Sequence, residues 1–235
     1  MSFLTAEWRK LAMVNYVVEP KRLTAYLPHG TELDLWQGRC YVSLVGFMFL
    51  DTRLMGVPIP FHRNFEEVNL RFYVRHKDSE GWKRGVVFIK EIVPKPALTW
   101  VANTLYKEHY QTMPMQHQWK KSAENWEVTY QWKHRQQWQK MKVVAENTPV
   151  EIPKGSEEEF ITEHYWGYSR VSKEKTYEYE VKHPRWQHYP VKSHLAKVDF
   201  ERVYGAKFAF LNGQQAHSAL LAEGSEISVE NKRAL

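Results

Sequence analysis

The amino-acid sequence predicts a mainly β (α+β) fold, in which antiparallel strands form a closed barrel or a strongly curved sheet with a few helices outside it. Apolar and polar residues alternate over many short segments of the 235-residue chain, as in half-buried strands. Only residues 97–106 carry apolar side chains at the spacing of a long helix. Closure of the sheet is expected because it removes exposed strand edges.

The first half of the chain is predicted to contain four strands and two helices. Proline suits the first turn of a helix, which places a short helix at Pro20 that ends before Pro28. The long helix follows Pro94 and Pro96. The predicted elements are strands at 11–18, 40–50, 67–75 and 85–93, helices at 20–26 and 97–106, and a loop at 51–63.

The second half is rich in aromatic residues that alternate with polar ones. Trp126, Val128, Tyr130 and Trp132 occupy every second position, the pattern of a half-buried antiparallel strand. Residues 134–137 are predicted to turn into a further strand that begins at Trp138. We therefore interpret these aromatic residues as core, and not as a platform on which nucleic-acid bases stack.

The end of the chain completes the sheet. Ser156 and Glu159 form a capping box for a short helix. Residues 165–170 and 176–182 are predicted to form a hairpin, and strands at 216–222 and 226–229 close the sheet. No repeat or linker interrupts the sequence, so we expect a single domain over residues 1–235.

The composition predicts a soluble, cytoplasmic protein. Hydrophobic residues make up 43% of the chain, enough for a full core, but no run is long enough to span a membrane and no secretory signal is recognised. One cysteine, Cys40, excludes an intramolecular disulfide. The net charge of +6 suggests nucleic acid, yet the basic residues form no single block. We expect a small-molecule partner, no nucleic acid and no membrane; a homo-oligomer is left open.

Three polar residues at alternate positions, Glu67, Asn69 and Arg71, form the most informative feature of the sequence. Side chains alternate across a strand, so these three share one face while the apolar residues between them share the other. An acid, an amide and a guanidinium in this order predict a strand that lines a wet cavity. The alternative is an amphipathic strand whose polar face is solvated.

The motif Glu67-x-Asn69-x-Arg71-x-Tyr73-Val74 resembles the central motif of an uncharacterised bacterial family, the YqjF-like group of the acetoacetate decarboxylase-like superfamily. Other motifs agree in order and spacing over about residues 3–229. They include Trp8-Arg9-Lys10-Leu11, Pro20-x-x-Leu23-x-x-x-Leu27-Pro28, Glu158-Glu159-Phe160-Ile161-Thr162-Glu163-x-Tyr165 and Val181-x-His183-Pro184-x-Trp186. The resemblance implies a closed, cone-shaped β-barrel around a central cavity, with small helices outside.

The same resemblance bears on chemistry. In acetoacetate decarboxylase a buried lysine with a lowered pKa forms a Schiff base with the ketone. Position by position, Arg9 matches the family's arginine and Glu67 its glutamate. Tyr110 matches the lysine, or His109 if the alignment shifts by one, and neither can form an imine. The resemblance therefore implies that acetoacetate decarboxylase activity is absent.

Two other amines lie close in sequence. Lys107 follows the long helix beside Glu108 and is interpreted as a solvated surface charge. Lys90 and Glu91 lie in a strand that is apolar on both faces, so one of the two should line the interior or its rim. Which one does so stays open; a rim salt bridge is the favoured interpretation of Lys90, and we assign it no catalytic role.

No phosphate loop, Cys-x-x-Cys pair or His-Glu-x-x-His motif is found, so we expect no cofactor and no metal. Our leading hypothesis is a β-barrel that binds a small carboxylate or other anion. Its ligand-binding residues would be Arg9, Glu67, Asn69, Arg71, His109 and Tyr110. The alternative is an enzyme acting on a carbonyl or enol substrate. Glu67 would then be the general base and Tyr110 the general acid, within hydrogen-bond reach of each other in one cavity.

Overall fold

A computed structural model describes residues 2–235 of the chain. The structure is mainly β, with 17 strands and three short α-helices in the described residues. The strands are β1 (Leu4–Val18), β2 (Glu32–Leu33), β3 (Cys40–Leu54), β4 (Val57–Pro58), β5 (Phe65–Asp78), β6 (Gly81–Val93), β7 (Tyr110–Thr112), β8 (Met115–Lys121), β9 (Asn125–His134), β10 (Gln137–Glu146), β11 (Val150–Glu151), β12 (Trp166–Arg170), β13 (Thr176–Lys182), β14 (Gln187–Tyr189), β15 (Val191–Lys197), β16 (Ser218–Val229) and β17 (Arg233–Ala234). The helices are α1 (Pro96–Val101), which continues as a π-helix (Ala102–Tyr106), α2 (Glu157–Thr162) and α3 (Phe200–Tyr204). Short 3-10 helices lie at Pro20–Arg22, Thr24–Tyr26 and Ala206–Leu211.

The larger sheet contains a ring of strand pairings. The order β16–β1–β3–β5–β6–β12–β13 is continuous, and β13 pairs in turn with β16, where Val181 lies opposite Val229. Neighbours in this ring are antiparallel except for β6 and β12, which are parallel. One face of these strands therefore lines an interior, and the other is free to pack against further elements.

A second sheet packs on the outer face of the ring. It has the antiparallel order β15–β10–β9–β8. Leu70 on the outer face of β5 belongs to the same buried cluster as Tyr130 and Trp132 of β9. Gly46 allows the close approach, because a Cβ at this position would lie only 2.8 Å from the Met141 sulfur and from the Tyr130 ring. Strands of the ring such as β3 and β5 therefore have apolar residues on both faces, one set toward the interior and the other in this second core.

Most predicted strands are present and are longer than predicted. The hairpin at 165–182 is β12–β13, and the capped helix is α2, whose Ser156 Oγ accepts a hydrogen bond from Glu159 N at 3.1 Å. The alternation at 126–132 is confirmed in β9, where Tyr130 and Trp132 are fully buried. Trp138 is 42% exposed, so its assignment to the core was wrong; it lies beside the β9–β10 turn, where the sheet ends.

Several predicted elements differ from the structure. The helix predicted at 20–26 is a pair of 3-10 helices, Pro20–Arg22 and Thr24–Tyr26. The loop at 51–63 is partly strand, because β3 continues to Leu54 and pairs with β4. The strands at 216–222 and 226–229 are a single strand, β16, with Gly224 at φ +82° inside it. A Cβ at Gly224 would lie 2.0 Å from Trp8 O, so glycine is needed for close contact with β1 and does not end the strand. The long helix is α1 and its π-helical continuation, and it stops at Lys107, which has a left-handed φ of 59°.

Within residues 2–235, no helix combines the length and apolar character that crossing a bilayer requires.

Candidate functional site

A cavity of about 310 Å³ lies against the inner face of the ring. All seven ring strands contribute lining residues, and α1 and its continuation add Leu98 and Tyr106. Most lining side chains are apolar, and many are aromatic, among them Trp8, Phe47, Phe49, Phe65, Phe88, Trp166 and Trp186. A mostly apolar cavity of this size with a few polar groups is typical of sites for small organic molecules.

Glu67, Asn69 and Arg71 all line this cavity, as the alternation of β5 predicts. Glu67 is 2% exposed and Asn69 1% exposed. Asn69 Nδ2 donates a hydrogen bond to Glu67 Oε1 at 2.9 Å, whereas Asn69 Oδ1 and Arg71 Nε are buried without a partner. Arg71 donates from Nη2 to the carbonyl oxygen of Ile161 at 3.3 Å. The strand therefore presents an acid at one end, a guanidinium at the other and unused hydrogen-bonding atoms between them.

Glu91 of β6 also lines the cavity, because of a bulge in its strand. The β5–β6 register shifts so that Arg71 lies opposite Phe88, while Leu70 lies opposite Lys90, which leaves Ile89 as an extra residue. Such a bulge changes the face on which the following side chains lie. Phe88 and Glu91 consequently share the cavity face, which a regular alternation would not allow. Glu91 is 2% exposed, and its Oε2 has no hydrogen-bond partner.

Neither alternative lysine lines the cavity. Lys90 lies on the opposite face of β6, where its Nζ donates to the carbonyl oxygen of Val203 and lies 5.9 Å from the centre of the Tyr204 ring. The rim salt bridge predicted for Lys90 is therefore wrong, since the partner is a backbone carbonyl on α3. Lys107 is exposed, as predicted.

The segment after the π-helix brings two more polar residues to the cavity. β7 runs parallel to β6. Glu108 and Tyr110, two positions apart, both line the cavity, whereas His109 between them is exposed. Tyr110 OH donates to Glu67 Oε2 at 3.1 Å, and Asn103 fixes the Tyr110 backbone through bonds of 2.7 and 2.9 Å. The expectation that His109 helps to close the pocket is wrong, because the alternation of an extended segment turns it outward.

Glu108 is held on the far wall of the cavity. Its Oε1 accepts hydrogen bonds from Ser169 Oγ at 2.5 Å and from Tyr179 OH at 2.8 Å. The Tyr179 ring reaches this position across Gly167, where a Cβ would lie 2.2 Å from the ring. Any other residue at Gly167 would displace the tyrosine from the carboxylate.

The three glutamates titrate far from their usual range. Burial raises the pKa of Glu67 to about 7, with the nearby charge of Glu108 adding to the effect and hydrogen bonds opposing it. Burial likewise raises the pKa of Glu108 to about 7. Burial, together with repulsion from the other two carboxylates, raises the pKa of Glu91 well above its usual range. Burial and the same charges raise the pKa of Tyr110 and of Tyr179. The raised pKa of Glu91 favours its neutral form, which can donate a hydrogen bond, and the raised pKa of Glu67 means that this residue exchanges its proton near neutral pH.

A histidine lines the other end of the cavity, near Arg71. His164 Nε2 lies 3.1 Å from Asp34 Oδ2, which also accepts a hydrogen bond from Arg84 Nε at 2.6 Å. Burial lowers the pKa of His164 to about 4, although the hydrogen bond to Asp34 opposes the shift. Burial also acts to raise the pKa of Asp34, but the bonds from His164 and Arg84 outweigh it and the pKa is lowered. His164 is therefore neutral and Asp34 ionised near pH 7.

Arg9 does not reach this cavity, in contrast to the expectation from the resemblance. It forms ion pairs with Glu7 at 2.7 Å and with Glu223 at 3.8 Å, on an open polar groove outside the ring. The register between β1 and β3 shifts between Arg9 and Ala12. That irregularity separates the outward Arg9 from Leu11, which does line the cavity.

Four of the six predicted ligand-binding residues thus lie together, and several polar neighbours were not predicted. The additional residues are Asp34, Glu91, Glu108, His164, Ser169 and Tyr179. The sequence leaves open whether Lys90 or Glu91 faces the interior, because the orientation of Glu91 depends on the bulge. A signal for Glu108 existed, since it is two positions from Tyr110 in a segment that is extended and not helical.

Comparisons with known proteins agree with this architecture. A family model for DUF2071, described as an uncharacterized conserved protein, matches residues 5–226. The uncharacterized protein YqjF of Bacillus subtilis (strain 168) is 35% identical over 75 residues. That alignment covers 32% of this chain and 31% of YqjF, so it spans less than a third of the curated relative.

Solved structures with a similar fold include three proteins. Acetoacetate decarboxylase from Legionella pneumophila has a TM-score of 0.67 at 12% identity, covering 99% of this chain and 86% of its own. An acetoacetate decarboxylase-like enzyme from Sphingomonas wittichii RW1 has a TM-score of 0.68 at 11% identity, with 100% and 94% covered. The enduracididine biosynthesis enzyme MppR, in complex with pyruvate, has a TM-score of 0.69 at 10% identity, with 100% and 91% covered. At such low identities, these similarities show the fold alone.

Proposed function

The chain belongs to the DUF2071 family of uncharacterized conserved proteins, and we propose that it binds a small carbonyl acid and transfers a proton within it, with Glu67 as the general base. One observation carries the proposal: Tyr110 OH lies 3.1 Å from Glu67 Oε2 in the cavity, where burial raises the pKa of Glu67 to about 7. A general base is most effective when its pKa lies near the working pH. This convergence favours an enzyme over a protein that only binds its ligand.

The two ends of the cavity suggest how a substrate lies in it. Arg71 offers a guanidinium that hydrogen-bonds only a backbone carbonyl and keeps Nε free, as a substrate carboxylate requires. At the other end, protonated Glu91 has an unpartnered oxygen with which it can donate to a carbonyl oxygen. The neighbouring fold member MppR was solved with pyruvate, a compound that carries both groups. We therefore place the carboxylate at Arg71 and the carbonyl beside Glu91.

The proposed reaction is proton transfer at the carbon next to the carbonyl. Ionised Glu67 removes the proton, and the electron pair of the broken C–H bond forms the double bond of an enolate. The charge that develops on the carbonyl oxygen is stabilised by the hydrogen bond from Glu91. Protonated Glu67 then returns the proton to carbon, so no further reactant is consumed. The raised pKa of Tyr110 keeps its hydroxyl protonated, which makes it a donor that orients Glu67 and not the general acid predicted from the sequence.

This chemistry needs no Schiff base. In the part of the chain that the structure describes, the lining residues include no lysine, which supports the proposal that decarboxylase chemistry is absent. The pairing of β13 with β16 supports a further proposal, that the ring is the closed, cone-shaped barrel implied by the resemblance.

Hydrogen–deuterium exchange tests the function directly. 4-Phenyl-2-oxobutanoate is incubated with the protein in deuterated buffer, and loss of the C3 proton signal is followed by NMR. We expect catalysed exchange whose rate rises with pH through about 7, as Glu67 ionises. Glu67→Gln should slow it roughly 100-fold or more, the usual contribution of a general base.

Glu174→Gln is the matched control, because Glu174 is exposed in the β12–β13 turn. It should exchange protons at the wild-type rate. Binding of the acid by the wild type without catalysed exchange would contradict the enzyme proposal and favour the binding protein. An unchanged rate in Glu67→Gln would rule out this residue as the base.

A further inference from the structure

His164 combines burial, a fixed orientation and a free nitrogen. Its side chain is 1% exposed, and it packs against the rings of Tyr73 and Phe160 at centroid distances of 4.8 and 5.0 Å. Nε2 faces Asp34 at 3.1 Å, whereas Nδ1 has no hydrogen-bond partner. A histidine that only fills the core normally has both nitrogens satisfied, because a buried polar atom without a partner costs stability.

The partner on one side determines what the other nitrogen can do. An ionised Asp34 only accepts hydrogen bonds, so the nitrogen that faces it carries the imidazole proton. Arg84 donates to the same Asp34 oxygen and keeps the carboxylate charged. Neutral His164 then has no second proton, and Nδ1 presents a bare lone pair. The free atom is an acceptor, and it requires a donor from a ligand.

Arg71 lines the same end of the cavity as His164. Its Nη2 bonds to the carbonyl oxygen of Ile161, three residues before His164, and its guanidinium lies 5.6 Å from the centre of the Tyr73 ring. Arg71 and His164 therefore both lie beside the Tyr73 ring, the guanidinium as a donor and the imidazole as an acceptor. Both groups line the cavity, and each has one unpartnered nitrogen.

We propose that Arg71 and His164 form one subsite for a carboxylate whose neighbouring carbon carries a hydroxyl group, as in a 2-hydroxy acid. The guanidinium binds the carboxylate, and Nδ1 of His164 accepts the hydroxyl hydrogen. This assignment rests on the proposed function and narrows its substrate class to carbonyl acids that also carry a hydroxyl group next to the carboxylate. His164 thereby selects the hydroxyl group, while Glu67 moves the proton.

Two matched acids test the subsite by calorimetry: 3-phenyllactate, which has the hydroxyl group, and 3-phenylpropanoate, which lacks it. Their phenyl group suits the apolar lining of the cavity. We expect the wild type to bind 3-phenyllactate roughly tenfold more tightly, the effect of one satisfied buried acceptor. His164→Phe retains the ring but removes the acceptor, so it should bind both acids equally. His194→Phe, on exposed β15, is the control and should retain the preference.

A spectroscopic measurement keeps the test independent of folding defects in His164→Phe. Imidazole ¹⁵N NMR of the wild type should show an unprotonated Nδ1 that shifts when 3-phenyllactate is added and not when 3-phenylpropanoate is added. Asp34→Asn should reduce the preference several-fold, since the tautomer is no longer fixed.

The outcomes separate the two proposals. Equal binding of both acids by the wild type, weakened in Arg71→Met, would overturn the role of His164 and leave the carboxylate site intact. A preference that survives in His164→Phe would overturn it as well. Binding of neither acid would overturn the subsite and the proposed function together.

Discussion

Two buried clusters of charged residues in this protein are built in opposite ways. Lys10 is 6% exposed and has a complete set of partners outside the cavity. Its Nζ bonds to Glu223 and to Tyr189 OH and lies 4.5 Å from the centre of the Trp126 ring. The cavity glutamates, in contrast, repel one another.

Glu67 and Glu108 accept hydrogen bonds from neutral groups only, and Glu91 Oε2 accepts none. A partner of opposite charge compensates part of the cost of burying a charge, whereas a buried carboxylate without such a partner bears the full cost. The difference separates structural charge from functional charge. The cost at the glutamates is what the proposed acid–base role would explain.

The largest expected effect comes from breaking the satisfied cluster. Lys10→Met leaves the partly exposed Glu223 carboxylate with only the more distant Arg9 as a cation and removes the hydrogen bond to Tyr189, so we expect the free energy of unfolding to fall by about 2 to 3 kcal/mol. Urea denaturation measures it. Lys173→Met, in the exposed β12–β13 turn, should change stability very little. Equal stability of the two variants would show that the Lys10 cluster is not structural.

The second prediction uses pH on the glutamate cluster. The pKa values of Glu67 and Glu108 are about 7 in the folded state, above the usual value of 4.5 for the unfolded chain. The stability that these groups contribute is therefore lost as the pH rises from about 4.5 through about 7. His164 acts in the opposite sense, because its lowered pKa of about 4 makes acid destabilising. The contribution of the glutamates is therefore isolated only by the difference in stability between a glutamate variant and the wild type at each pH.

We therefore expect the double variant Glu67→Gln/Glu108→Gln to gain stability relative to the wild type between pH 4.5 and pH 8. The expected gain in the free energy of unfolding is on the order of 2 kcal/mol, which is less than two independent pKa shifts would give because the two carboxyl groups are coupled. Denaturation at several pH values measures it. A constant difference across this range would contradict the raised pKa values.

A smaller effect is expected from Glu91→Gln. The amide keeps the shape and a donor but cannot ionise, so the variant should equal or exceed wild-type stability by about 1 kcal/mol at pH 8. Thermal unfolding measures this change, and the exchange assay should show reduced activity at the same time. Loss of stability in Glu91→Gln would indicate a structural role like that of Lys10.

The sequence predicts the contrast between these regions only where the strand pattern is regular. The period of two in β5 placed Glu67, Asn69 and Arg71 correctly relative to one another. Bulges are not visible in that pattern. One in β6 turned Glu91 inward, and an irregularity in β1 separated Arg9 from the cavity.

Long-range pairs were equally hidden. Asp34 and His164 are 130 positions apart, and nothing local to either residue indicates the other. Of the second sheet, only the strands β9 and β10 were predicted, and their packing on the ring was not, since it depends on the small Gly46 and not on a pattern within either strand.

The smallest expected effect is an absence of reaction. With acetoacetate and borohydride, we expect no reduced Schiff-base adduct above that of surface lysines, and no release of carbon dioxide. Lys90 faces α3 and is bonded to the carbonyl oxygen of Val203, and Lys107 is exposed, so neither amine can meet a ketone held between Arg71 and Glu91. Mass spectrometry of the digested protein locates any modified lysine, with Lys90→Arg as the control. A stoichiometric adduct on Lys90 that disappears in Lys90→Arg would mean that β6 can turn this side chain inward. The bulge at Ile89 would then be the switch between an acid–base site and a Schiff-base site on the same strand.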